Sequence, residues 1–179
     1  GRQPLVKVAS NALTCPILPH DYFMASVQSE HVERSQNLHG GYFLKAIRVN
    51  KHGGPEVLEL EDIASPEART GELLIKVESA GLNYIDTYHR TGLYSVDLPL
   101  TLGLEGSGTV EAVGSDVSEF VTGDRVAWAG CTGSYAELLV APASKVVKIP
   151  DGVAFDAAAA SMLQGMTVHY LTHSTYPLK

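Results

Sequence analysis

From Phe43 onward, hydrophobic and polar residues alternate in short runs with turn residues between them. Lys45 to Val49 predicts a strand, and Gly53-Gly-Pro55 a turn. In Val57 to Ile63, the positions Val57, Glu59, Glu61 and Ile63 alternate with Leu58, Leu60 and Asp62, as in a half-buried hairpin partner. Glu72 to Glu78 is clearer, with Leu73, Ile75 and Val77 on one face and Leu74, Lys76 and Glu78 on the other. Further strands are predicted at Gly106 to Val113, from Gly123-Asp124 through Trp128, at Ser134 to Val140 and at Lys145 to Ile149. Many short strands at close spacing predict a mainly β domain with short helices, built as a rolled barrel.

Helical signals are few. Asn83 is a good N-cap, and Asp86 three residues later can complete a capping box and favours the helix dipole. With Gly92 as terminator, this predicts a helix of about two turns. Ala157 to Ala160 and Met162 to Thr172 are helical in composition. Residues 1–43 show no sustained period, and His39-Gly-Gly41 resembles a linker.

The 179 residues suffice for one domain with a core, and the 45% hydrophobic and 18% charged content is ordinary for a globular chain. Residues 1–44 carry three basic and three acidic groups, so the net charge of -7 lies in residues 45–179. That balance disfavours nucleic acid and anionic membranes as partners. Two distant cysteines, Cys15 and Cys131, make neither a disulfide framework nor a zinc spacing and fit a reducing compartment. A cytoplasmic location is expected ahead of a mitochondrial one, because the first residues lack the Arg-rich amphipathic character of a transit peptide.

Tests for familiar chemistry are mostly negative. The Gly-dense run from Gly103 to Gly108 fails the dinucleotide fingerprint, since the third glycine would fall at Glu111 and the run continues as a strand. His169 and His173 are four apart but lack the following Glu of a zinc peptidase, and they fit a polar helix face. Neither Ser107 nor Ser134 sits in a nucleophile elbow, and Cys131 has no nearby His. What remains is a cluster of hydrogen-bonding residues: Asn83, Tyr84, Asp86, Thr87, Tyr88 and then Tyr94. Residue types alone leave two readings of it: caps and core tyrosines, or a site.

Six ordered motifs carry a resemblance over residues 45–179. They are Lys51-His-Gly-Gly-Pro-Glu-Val-Leu58, Ala80-Gly-Leu-Asn-Tyr-Ile-Asp-Thr-Tyr88 with Arg90-Thr-Gly-Leu-Tyr94, Gly103 to Gly114, Gly123-Asp-Arg-Val126, Gly133-Ser-Tyr-Ala-Glu137, and Ala158 to Val168. Together they resemble the quinone oxidoreductases, the zeta-crystallin-like, zinc-free branch of the medium-chain dehydrogenase/reductases. The resemblance implies a GroES-like catalytic domain over 45–160, after an irregular leader at 1–44. Residues 161–179 would be a crossover helix leading to a Rossmann domain that this chain does not reach.

The implied chemistry is NADPH-dependent hydride transfer to a quinone or conjugated carbonyl. Reduction of an enoyl thioester or alkenal, or a non-catalytic binding module, is the alternative. Zinc-dependent relatives place a cysteine where Asn83 stands and a histidine where Leu104 stands, so the resemblance implies no metal. It makes Asn83, Tyr88 and Tyr94 the catalytic candidates. It places Tyr84, Ile85, Asp86, Thr87 and Tyr88 on one side of the cofactor, with Gln164 and Thr167 on the other. Most of the cofactor site, and any homodimer interface, would lie in the missing domain. A catalytic-domain fragment inactive by itself is therefore expected.

Overall fold

The structure, a computed structural model, describes residues 42–176 and residue 178. Cys15 and all of the expected leader up to residue 41 lie outside the described residues. The first strand, β1 (Phe43–Val49), begins two residues ahead of Lys45, with Leu44, Ala46 and Val49 turned into the core.

After a 3-10 turn at Pro55–Val57, β2 (Leu58–Ala64) pairs antiparallel with β1 from Phe43↔Ala64 to Val49↔Leu58. The expected half-buried alternation is weak here: Val57 is buried, but Leu60 is largely exposed because β2 is an edge strand. A short strand, β4 (Leu100–Thr101), covers the other edge of β1 and was not visible in the periodicity, since two residues cannot show a period.

The larger sheet has five strands. β3 (Glu72–Gly81) and β5 (Glu105–Val113) form its centre, with β6 (Arg125–Ala129), β7 (Leu138–Pro142) and β8 (Val146–Lys148) around them in the order β7-β3-β5-β6-β8. Leu73, Ile75 and Val77 of β3 pack with Val110, Val126, Trp128, Leu139 and Ala141 into the main core. β3 runs three residues beyond its alternating stretch because β5 continues to pair with it as far as Gly81↔Glu105.

The Gly-dense run is explained by this pairing. A Cβ at Gly106 would meet the Trp128 ring at 2.5 Å and the Ser79 carbonyl at 2.8 Å, and one at Gly108 would collide with the Lys76 carbonyl. Close strand approach, not phosphate binding, accounts for these glycines. Trp128 is fully buried, and its indole N–H donates to Ser134 Oγ at 2.9 Å.

Ser134 to Glu137, expected as strand, instead forms the seam between the sheets. Ile47 N–H donates to Tyr135 O, Glu137 N–H to Lys45 O, and Val77 N–H to Glu137 O. The segment thus bridges β1 at Ala46↔Ala136 and then switches to β3, so regular pairing starts only at Leu138. The result is the mainly β architecture with short helices that the alternation predicts.

Three helices complete the described chain. α1 (Tyr84–Thr91) follows β3, and α2 (Phe155–Ser161) lays Ala158 on Ala127 and Ile149. The backbone breaks at Met162 before α3 (Leu163–His169), which runs into one π-helical turn at Tyr170–Thr175. Met162 packs against the Ala127–Ile149–Ala158 cluster, whereas Met166, Val168, Tyr170 and Leu171 are exposed. No helix of the described residues is long and apolar enough to cross a membrane.

Candidate functional site

The site is assembled where β3, β5, α1 and α3 meet. β3 ends at Gly81, and two residues later Asn83 takes the N-cap of α1 in extended geometry. Asp86 closes the capping box, its Oδ2 accepting the Asn83 N–H at 2.9 Å. Gly92, at φ 81°, ends the helix in the left-handed conformation, as expected. The β1–β2 turn holds this end of α1, with Gly53 N–H donating to Arg90 O at 3.1 Å and Arg90 Nε to Gly53 O at 3.3 Å.

Asp86 faces inward and is only 4% exposed. Its Oδ2 also accepts the Tyr135 hydroxyl at 2.7 Å, while Oδ1 is buried without a hydrogen bond. Burial pushes the Asp86 carboxyl above the usual carboxylate range, and the hydrogen bonds from Tyr135 and Asn83 offset part of that rise. The Tyr135 phenol is driven far above its ordinary value by its own burial and by the adjacent carboxylate.

A second buried carboxylate lies beside the first. Glu105, at the start of β5, is wholly buried. Its Oε1 accepts the Asn83 side-chain amide at 2.8 Å, and its Oε2 accepts the Leu163 N–H at 2.6 Å. Burial raises its pKa, and these two donors pull it back. Gly81 is required by this arrangement, because a Cβ there would run into the Glu105 carboxylate.

The outer side of α1 is aromatic. Tyr84 and Tyr88 are one turn apart and pack edge to face at 5.1 Å between ring centres, and Tyr94 tilts onto Tyr88 at 5.2 Å. Tyr84 is 54% exposed and Tyr94 49%, so these rings are not core residues. Of the first reading the structure keeps the caps, Asn83 and Asp86, and not the core tyrosines, which form a solvent-open aromatic column.

The remaining candidates divide. Gln164 reaches the site, its amide donating to Leu82 O at 3.2 Å, which sets the start of α3 beside the start of α1. The Thr167 hydroxyl donates to Leu163 O and the Thr87 hydroxyl to Tyr84 O, both at 2.7 Å, within their own helices. Ile85 is half-buried. Sequence reasoning missed Tyr135 and the Leu163 N–H. No local pattern marks Glu105, whose partners are 22 and 58 residues away.

Other chemistry finds no footing nearby. Cys131 is buried, and burial raises its thiol, which keeps it protonated and unreactive near neutral pH. Among the described residues, no group of three or more His, Cys, Asp or Glu side chains is placed to hold a metal ion.

Comparison with known proteins gives this architecture a family. Residues 69–151 match the alcohol dehydrogenase GroES-like domain. A quinone oxidoreductase of Pseudomonas aeruginosa is 50% identical over 137 residues, which is 75% of this chain and 42% of that protein. The crystal structure of a Pseudomonas syringae quinone oxidoreductase superposes with a TM-score of 0.74 at 46% identity, over 76% of this chain and 42% of its own. Escherichia coli quinone oxidoreductase, crystallised with NADPH, gives a TM-score of 0.74 at 40% identity over 75% of this chain and 42% of its own. The chain carries the GroES-like domain of the medium-chain dehydrogenase/reductase family and is similar there to quinone oxidoreductases, of whose length it spans about 42%.

Proposed function

We propose that this chain supplies the acceptor-side half of an NADPH-dependent reductase that delivers hydride to a quinone or related conjugated carbonyl without a metal. The observation that carries this reading is the open column of Tyr84, Tyr88 and Tyr94 beside Asn83, at the junction of α1 and α3. An aromatic, half-exposed face suits a flat quinone or a nicotinamide ring, and its phenols are donors for an oxygen gaining negative charge.

NADPH, when bound, would supply the hydride. The residues present fit the nicotinamide end of such a cofactor: exposed rings on one side, and the polar start of α3 carrying Gln164 and Thr167 on the other. They do not supply a phosphate cradle, because Gly106 and Gly108 are consumed by strand packing and Gly103 by the Tyr135 ring. Pyrophosphate binding would fall to a Rossmann domain following α3.

Roles follow from exposure and hydrogen bonding. Tyr88 and Tyr94 would donate to the acceptor oxygen. Asn83 gives one of its two amide N–H groups to Glu105, which leaves at most one for substrate or cofactor. Tyr84, Ile85, Thr87 and Tyr88 would line the cofactor, and the inward Asp86 would contribute from beneath by holding Asn83.

The test is an assay of a form of the protein continued through a dinucleotide-binding half, with NADPH and either quinones or enones as acceptor. Quinone-dependent oxidation of NADPH is expected, and oxidation with enones alone would favour the alternative reading. The 179-residue chain by itself should show no saturation by NADPH below about 1 mM. Low-micromolar affinity would overturn this division of the site.

A further inference from the structure

The wholly buried Glu105 joins the start of α1 to the start of α3. Its two oxygens face different elements. One takes the Asn83 amide at 2.8 Å from the start of α1, and the other takes the Leu163 N–H at 2.6 Å from the start of α3. Gln164, the next residue of α3, donates to Leu82 O at 3.2 Å and so latches α3 to the residue preceding Asn83. Gly81 leaves the space that the carboxylate occupies. Deep burial of a carboxylate is unfavourable unless its oxygens are satisfied, and here each one has a donor.

We infer that Glu105 is a positioning residue: it holds the Asn83 carboxamide in one of its two orientations and makes that orientation depend on the docking of α3. An ionised carboxylate only accepts hydrogen bonds, so the nitrogen of Asn83 must face Glu105 and its oxygen must turn away. The group that Asn83 offers to a ligand is thereby chosen by a residue that touches no ligand. When α3 shifts, the Leu163 N–H leaves Oε2 and the carboxylate is free to move from Asn83. The start of α3 is in this way coupled to the cap of α1 through the Glu105 carboxylate, a contiguous link of the kind that carries coupling between elements.

The inference rests on the reading of α1 as the acceptor site, but its test does not. In nuclear magnetic resonance spectra of the 179-residue chain, one of the two Asn83 side-chain amide protons should lie downfield and exchange about tenfold more slowly than an exposed amide. The E105Q variant keeps the shape and changes the polarity. Its amide oxygen can serve only one of the two donors, and its nitrogen must donate. Either Asn83 flips its oxygen inward, moving both side-chain proton resonances, or the Gln nitrogen faces Leu163 and that amide loses about tenfold in protection.

An E105Q protein that is folded, with the Asn83 and Leu163 signals unmoved, would overturn the inference. If E105Q does not fold, Asn83→Ala at the half-buried rim gives the second measurement. The Glu105 carboxyl carbon should then titrate at higher pH than in the parent chain, and an unchanged titration would overturn the inference equally. In an active longer form, E105Q and Asn83→Ala should each lower kcat. The double variant should be no slower than the slower single one, because both remove the same oriented amide. Absence of any quinone reduction would count against the proposed function and leave the resonance result standing.

Discussion

The Tyr135 hydroxyl donates to Asp86 Oδ2 at 2.7 Å across 49 residues of sequence, and so ties the seam between the two sheets to the first turn of α1. Tyr135 is itself placed from the smaller sheet, since its N–H donates to Leu102 O, just after β4, and its carbonyl accepts the Ile47 N–H of β1. The position of the aromatic column is thus set from below by the seam as well as along the chain by β3. Removing the donor should be costly, because it leaves a buried carboxylate with fewer partners. Tyr135→Phe is expected to destabilise the chain by about 1–3 kcal/mol, read as a lower urea midpoint with an unchanged slope.

Stability should also respond to pH through the two buried carboxylates. Asp86 and Glu105 both have folded pKa values raised by burial, so the native state binds more protons than the unfolded chain in the window above the ordinary carboxylate range. Their contribution is fully present below about pH 4 and is lost as pH rises through the raised values. Asp124, half-buried beside Lys148, and the exposed Glu56 have lowered values, and they act weakly in the opposite sense. Urea midpoints measured from pH 7 downward should therefore fall less steeply in the parent chain than in Asp86→Asn, which lacks one of the raised groups.

Two glycine substitutions should separate close packing from backbone conformation. Gly108→Ala drives a methyl into the Lys76 carbonyl of a paired strand and should cost about 3 kcal/mol or more, if the protein accumulates at all. Gly123, at φ 94° with open space around its Cβ position, should cost only about 1 kcal/mol on the same change, through backbone strain alone. Thermal unfolding of the two variants side by side gives the comparison.

The phenols of the aromatic column should matter for turnover and not for folding. In a form competent to bind NADPH, Tyr88→Phe and Tyr94→Phe are each expected to lower kcat by about tenfold to a hundredfold, with little change in Tm. The half-exposed Tyr94 ring has no buried hydroxyl to orphan, so a large drop in its Tm would mark it as structural instead.

Much of this architecture was legible in the chain because its signals are local. The alternation of Leu73, Ile75 and Val77, the Asn83–Asp86 box and the Gly92 stop each act within a few residues, and each stands where expected. The missed features are non-local. Ser134 to Glu137 has the composition of a strand, and only the position of β1 and β3 makes it a seam. Glu105 shows up in the sequence as one carboxylate, and its meaning comes from Asn83 and Leu163, which the fold brings to it. For the candidate site, residue types marked the cluster on α1 and the resemblance added Gln164, while the buried layer beneath them waited on tertiary structure.

The seam has a consequence for how the chain reaches this state. Lys45 and Glu137 bond through backbone and side chain across 92 residues, so the β1–β2 hairpin cannot be clasped until nearly the whole domain has been made. Closing so long a loop precedes the reward of its contacts, which places the domain among slow, topology-limited folders. During synthesis the hairpin would wait with Leu44 and Ala46 uncovered, and that interval is where a chaperone, or a misplaced second hairpin, would meet this protein first.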